Sequence, residues 1–236
     1  MSIILSIDTS THVCSVAIHR SGNLMANADL FIEKSHAASL NQLIEQLLQH
    51  CDYEFNQLNG IAVSSGPGSY TGLRIGISTA KGLCYALDVP LIGVSSLDAM
   101  AVQFIETHHL KKDDLLIPMI DARRMEVFYK CLSPDLTEIE ALNNLILDQN
   151  SFTHLMSKYK QLYLFGSGAE KANELYKNVS NLKTIKGVNP SAKNFGARAF
   201  QKYKKQDFEN IAYFEPNYGK AFFSPKSKKS PFVTFK

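Results

Sequence analysis

Three short stretches carry residue types that could handle phosphate or a metal ion. Asp8-Thr9-Ser10-Thr11 follows the apolar run Ile3 to Ile7. A carboxylate at a strand end can hold a hydrated divalent cation while hydroxyls and backbone N–H groups contact phosphate. The same residues can instead satisfy backbone groups in a tight turn, and both readings stand. Asp121-Ala122-Arg123-Arg124 repeats the arrangement, with an acidic metal candidate beside positive groups. In Gly166-Ser167-Gly168-Ala169 the glycines either let a nucleoside pack closely or merely turn the chain.

A fourth stretch, SSGPGSYTGLR from Ser64 to Arg74, looks like a phosphate loop but lacks its parts. No Lys-Ser or Lys-Thr pair closes a Walker pattern, and the third glycine of a GxGxxG fingerprint would fall at Thr71. Gly66, Gly68, Gly72 and Gly76, with Pro67, Ser69, Thr71, Ser78 and Ala80 among them, give a surface of small side chains on which a helix or subunit can pack closely. Tyr70 is a core aromatic or a partner contact, Leu73 opens the apolar run that follows, and Arg74 is a salt-bridge former, a partner contact or an anion ligand. Other chemistries lack their signatures: there is no HExxH, HxxxH, GxSxG, RRM or KH pattern.

The elements that must position these loops follow from periodicity and turn residues. Strands are expected at Ile3–Ile7, Val13–Ile18, Leu24–Phe31, Gly60–Ser64, Pro90–Val94, Leu115–Ile120, Glu126–Cys131 and Leu162–Phe165. Helices are expected from a Ser35 cap through Leu48, over Leu73–Leu87, from Ser95 or Ser96 through Ile105, through Leu175 and Tyr176, and over Ser191–Tyr203 after Pro190. An opening hairpin followed by strand-helix-strand-helix order gives a mixed sheet, and a partial repeat of that order gives a second lobe. The polar run 108–114 divides them: residues 1–110 form the first lobe and 111–218 the second, whose last helix packs back on the first. Residues 219–236 form a basic tail.

The 236 residues, 45% hydrophobic and 20% charged, fit a folded protein with a sizeable core. A net charge of +3 does not imply nucleic-acid binding. Lys220, Lys226, Lys228, Lys229 and Lys236, however, follow Gly219 with no acidic residue among them. That tail reads as a solvated end or a polyanion contact, and Phe222-Phe223 lies within it. Cys14, Cys51, Cys84 and Cys131 form no CxxC and read as buried thiols in a reducing compartment. MSIILSIDTS lacks a basic run followed by a long apolar core, so no signal peptide is expected; no stretch reaches 18 uninterrupted apolar residues, and a cytoplasmic location without membrane association is expected.

IDTST, SSGPGSYTGLRIG, DARR, FGSGA and FEPNY, in this order from Ile3 to Tyr218, make the chain resemble the TsaB/YeaZ family of tRNA threonylcarbamoyladenosine biosynthesis proteins. The resemblance implies an α/β, two-lobed actin-like/Hsp70-like (ribonuclease H-like) fold with mixed sheets flanked by helices. It implies a required, noncatalytic scaffold or activator for TsaD, with TsaE supplying ATPase-linked turnover. Their joint product is N6-threonylcarbamoyladenosine at position 37 of tRNAs reading codons that begin with A. Partners are then TsaD and TsaE homologues, tRNA through the complex, and a second copy of the chain in isolation.

By the same resemblance Asp8, Thr9 and Ser10 fall in a first phosphate loop, Asp121 in a second, and Gly166 and Gly168 in a nucleoside-binding segment, together a vestigial nucleotide cleft. No metal site is expected, because the HxxxH pair of TsaD is missing. No cofactor is required by this chain alone, and ATP or ADP with Mg2+ belongs to the assembled complex. Gly66 to Arg74, with Gly76, and the helices at 35–50 and 73–87 form the expected interface. The alternatives are a weak magnesium-dependent ATPase or phosphotransferase using the interlobe cleft, and a tRNA-recruiting module using Lys226, Lys228 and Lys229.

Overall fold

The computed structural model describes residues 1–32 and 36–219. The expected cap at Ser35, Phe222-Phe223 and the lysines beyond Gly219 lie outside the described residues.

Two five-stranded sheets are built among the described residues, with the same strand order. In the first, β1 (Ile3–Asp8) is central and pairs antiparallel with β2 (Cys14–Arg20) and parallel with β4 (Gly60–Gly66). β3 (Asn23–Leu30) and β5 (Leu91–Ser95) are the edges. In the second, β6 (Asp114–Asp121) is central, antiparallel to β7 (Glu126–Leu132), which carries the edge strand β8 (Glu138–Ile146). On its other side β9 (Gln161–Phe165) and β10 (Leu182–Ile185) run parallel. A repeated order without repeated sequence follows because a sheet position asks for burial and β-propensity, not for particular residues.

β1 is apolar because both of its faces are covered. Leu5 and Ile7 join the core beneath α1 (His36–His50) and α2 (Tyr70–Leu87). Ile4, on the opposite face, packs with Phe195 and Ala199 of the C-terminal segment. α1 buries Leu40, Leu43, Ile44, Leu47 and Leu48, one stripe of a 3.6-residue period. α2 starts at Tyr70 rather than Leu73, because Ser69 caps it by accepting from Gly72 N at 3.3 Å.

α3 (Ser96–Thr107), capped by Ser95, joins the two halves: Leu97, Met100 and Phe104 pack on the second sheet, while Ala99 packs with the first. Phe104 stacks on Phe165 with ring centroids 4.3 Å apart. Two short helices, α4 (Thr153–Met156) and α5 (Ala172–Tyr176), cover the far face of the second sheet. Ser191–Tyr203 is not one uniform helix: Ala192–Phe195 forms a tight 3-10 turn before α6 (Gly196–Lys205). α6 returns to the first sheet, where Asp29 accepts from Ser15 Oγ at 2.5 Å and from Ser191 Oγ at 3.1 Å. Lys130 of β7 bridges Asp98 of α3 and Glu138 of β8, each at 2.8 Å, and so adds a largely buried ionic tie between the halves.

Candidate functional site

The β1–β2 loop is welded to the start of α2. Ser69 N donates to Ser10 O at 2.7 Å, and Thr9 Oγ1 donates to Gly72 O at 2.7 Å. A side-chain carbon at Gly68 would collide with Ser10 O, one at Gly72 with Thr9 O and one at Gly76 with Thr9 Oγ1. The missing Cβ atoms at Gly68 and Gly72 therefore let motif and loop touch backbone to backbone, and the one at Gly76 makes room for the Thr9 hydroxyl. His36, at the start of α1, ties the same loop to that helix with a third hydrogen bond, its Nε2 donating to Thr11 O at 2.7 Å.

Asp8 is sealed inside this contact at 1% exposure. One carboxylate oxygen accepts from Ser10 N at 2.8 Å, while Oδ2 and Ser10 Oγ are buried without a partner among the described residues. Burial pushes the Asp8 carboxyl up to about 6, because the charged form has lost its water; the nearby Asp29 adds to the rise. The orphaned oxygens face no open space, so a phosphate or hydrated cation cannot reach them unless α2 moves away.

The β6–β7 loop is open. Asp121 is exposed; its Oδ1 accepts from Arg123 N at 2.5 Å and pairs with Lys171 Nζ at 2.6 Å. Arg123 and Arg124 are exposed, with positive φ of 73° and 48°. Ser167 accepts from Asp121 N at 3.1 Å, so this loop and the glycine loop are joined. A Cβ at Gly168 would lie 3.0 Å from Ile120 C and Met119 Cβ, and one at Gly166 would meet Met119 O, so both glycines face their own sheet. Between the halves, Val13, Asp29, Gln103, Ser191 and Lys193 line a cavity of about 70 Å³, room for a few waters. These residues do not fit a nucleotide, since each expected ligand group is engaged or covered by its own chain. No group of three His, Cys, Asp or Glu among the described residues could hold a metal ion.

Within the glycine motif the residues divide by environment. Gly66, Pro67, Gly72, Leu73 and Gly76 are buried, Gly68 is half-buried, and Ser69, Tyr70, Thr71 and Arg74 are exposed. Asn217 N donates to Ser65 O at 2.7 Å, drawing the late FEPNY segment against the motif. Arg74 is clamped there: Nε donates to Tyr218 OH at 3.0 Å, and its guanidinium lies 4.1 Å from the centre of the Tyr70 ring. Sequence reasoning did not foresee Tyr218 as its partner, 144 residues away. Farther along α2, Ser78, Thr79, Gly82 and Leu83 face Asn41, Ile44, Glu45 and Phe55 across a groove of about 300 Å³.

The family model for TsaD, tRNA N6-adenosine threonylcarbamoyltransferase, matches residues 31–131, the stretch that includes α1 and α2. The tRNA threonylcarbamoyladenosine biosynthesis protein TsaB of Bacillus subtilis is 38% identical over 125 residues, covering 53% of this chain and 52% of that protein. Its Escherichia coli counterpart is 35% identical over 126 residues, covering 53% of each chain. The chain is thus similar to TsaB proteins over about half of its length. It spans about half the length of the curated relatives it matches. YeaZ from Pseudomonas aeruginosa shares the fold at 22% identity, with a TM-score of 0.71 over 92% of this chain and 99% of that one. A second Pseudomonas aeruginosa structure, described as similar to peptidase YeaZ, gives 0.75 at 23% identity over 93% and 100%. The chain shares with these two structures an architecture of two mixed sheets flanked by helices. No helix among the described residues is long and apolar enough to cross a membrane.

Proposed function

We propose that this chain is a noncatalytic scaffold or activator subunit for a TsaD-type partner in forming N6-threonylcarbamoyladenosine on tRNA, with a TsaE-type ATPase as third component. The observation that carries this reading is the α1–α2 groove. Its floor combines small residues on α2 with Ile44, Phe55 and Leu83, so a partner helix could approach closely and bury apolar surface. The TsaD model matches the segment that holds both groove helices, which favours a partner built on a similar helix pair. In isolation the same face would serve a second copy of the chain. The glycine motif supports this surface from within, by fixing α2 against the β1–β2 loop, and the first lobe, residues 1–110, presents it. ATP or ADP and Mg2+ are then the partners' ligands.

Reconstituting the reaction with and without this chain, and counting modified tRNA, tests the role. Omission should abolish modification, and an unchanged yield would overturn the reading. Gly82→Phe tests the groove itself: a Cβ at Gly82 meets nothing within 4 Å, so the new ring fills the groove without disturbing the chain's own packing. The variant should melt like the wild type yet lower partner affinity at least tenfold, roughly the value of one buried anchor at an interface.

A further inference from the structure

We propose that the flank of α2 turned away from the groove, together with the strap 212–218 beside it, is a docking surface for single-stranded RNA. Tyr70, Arg74, Lys81 and Tyr85 are spaced by four, seven and four residues and so fall on one stripe of the helix. The stripe is centred roughly a third of a turn from the groove residues of α2, with Ser78 on the border between them, so Tyr70 and Lys81 stay open when a partner occupies the groove. Over its 18 residues α2 has two cations and no acidic side chain. The strap runs alongside: Lys81 Nζ donates to Ala212 O at 3.4 Å, and Tyr218 meets Tyr70 with ring centroids 4.8 Å apart.

Cations interleaved with presented aromatic faces suit unpaired bases. Tyr85 and Tyr213 are 85% and 83% exposed, so neither ring is used in the core. Arg74, held between Tyr70 and Tyr218, offers a preordered guanidinium beside two rings. Successive bases stack on such rings while the cations track the phosphates. A duplex hides its base faces, and an acidic peptide supplies charge without them. Beyond Gly219, outside the described residues, the sequence holds five lysines and no acid. RNA rather than DNA as the occupant rests on the function proposed above.

The test is fluorescence anisotropy of the full chain with a labelled 12-nucleotide oligouridylate, at low and at physiological salt. With ten tyrosines and no tryptophan, tyrosine fluorescence gives a second signal, quenched where bases stack. The paired change Arg74→Glu with Lys81→Glu should weaken binding at least tenfold and flatten its salt dependence. Tyr85→Ser with Tyr213→Ser should weaken binding at least fivefold and remove part of the quenching, with an unchanged melting temperature in both variants. A chain ending at Gly219 should bind more weakly but still lose affinity on the tyrosine changes. Equal affinity for polyglutamate, tighter binding of duplex RNA or of the same-length oligothymidylate, or insensitivity to both paired changes would overturn the proposal. Gly82→Phe should leave oligouridylate binding unchanged, so a failure of the groove reading and a failure of this one are read separately.

Discussion

Asp8 and Asp121 end the central strands of two sheets with the same order, and their surroundings are opposite. Around Asp8 the first turn of α2 presses on the loop and excludes water; around Asp121 solvent and Lys171 share the carboxylate. The helix that follows β4 decides this. α2 has 18 residues and meets the first loop through glycines, whereas the second half places only the short α5 after its glycine loop. A repeated topology therefore reproduces the position of a loop but not its environment, and the environment sets the chemistry.

The contact that separates the two loops can be broken directly. Gly72→Ala would force a methyl group into Thr9 O, a backbone atom that cannot step aside. The expected loss is about 3 kcal/mol or more, within the range for steric insertion into a packed contact with backbone displacement. It would be read as a large fall in denaturant midpoint, and a midpoint near wild type would mean that α2 is not held against the loop.

Asp8→Asn sharpens the contrast through pH. The folded-state value of about 6 lies above the ordinary 3.8, so the wild-type group favours folding below about 3.8 and loses that contribution as pH rises through about 6. Above that range the wild type carries a buried charge costing about 3 kcal/mol, which the variant lacks. The stability of Asp8→Asn relative to wild type should therefore rise from pH 4 to pH 7.5; a difference independent of pH would refute a sealed carboxyl.

His19 gives the opposite slope. It is fully buried, with Nδ1 3.0 Å from Ser6 Oγ and Nε2 donating to Lys193 O at 3.0 Å, and burial lowers its affinity for a proton. Its contribution is present above the unfolded value of 6.5 and is lost as pH falls below it. With Asp8 replaced, acid melts should show a steeper net loss of stability below pH 6.5 than the wild type shows. Equal slopes in the two proteins would argue against the opposed pair.

The smallest effect belongs to the open loop. Asp121→Asn removes a half-exposed ion pair with Lys171 and should cost less than about 1 kcal/mol, falling further in high salt. A loss as large as that of Gly72→Ala would make the second loop as structural as the first.

Much of the fold was legible in the sequence, because buried parallel strands and amphipathic helices leave strong apolar periods. The runs around Ile3, Ile61 and Leu115 are strands, and the stripe from Leu40 to Leu48 lies on a helix. β8 left no such trace: Glu138 to Ile146 is an edge strand of mixed polarity whose order comes from pairing with β7. β10, four residues long, is likewise defined by its neighbour β9. The start of α2 was misjudged by three residues, because Tyr70 and Thr71 are exposed and only the Ser69 cap marks the boundary.

Sequence by itself determined the paired α/β halves, the glycine motif and the absence of a Walker lysine. It could not say what those glycines touch, because a glycine reports only that space is needed, not which backbone takes it. Tertiary structure decided that Thr9 and Ser10 take it, that Asp8 is shut away while Asp121 is not, and that Tyr218 reaches Arg74. Each of these is a contact between residues distant along the chain, set by how sheets and helices pack rather than by any local pattern.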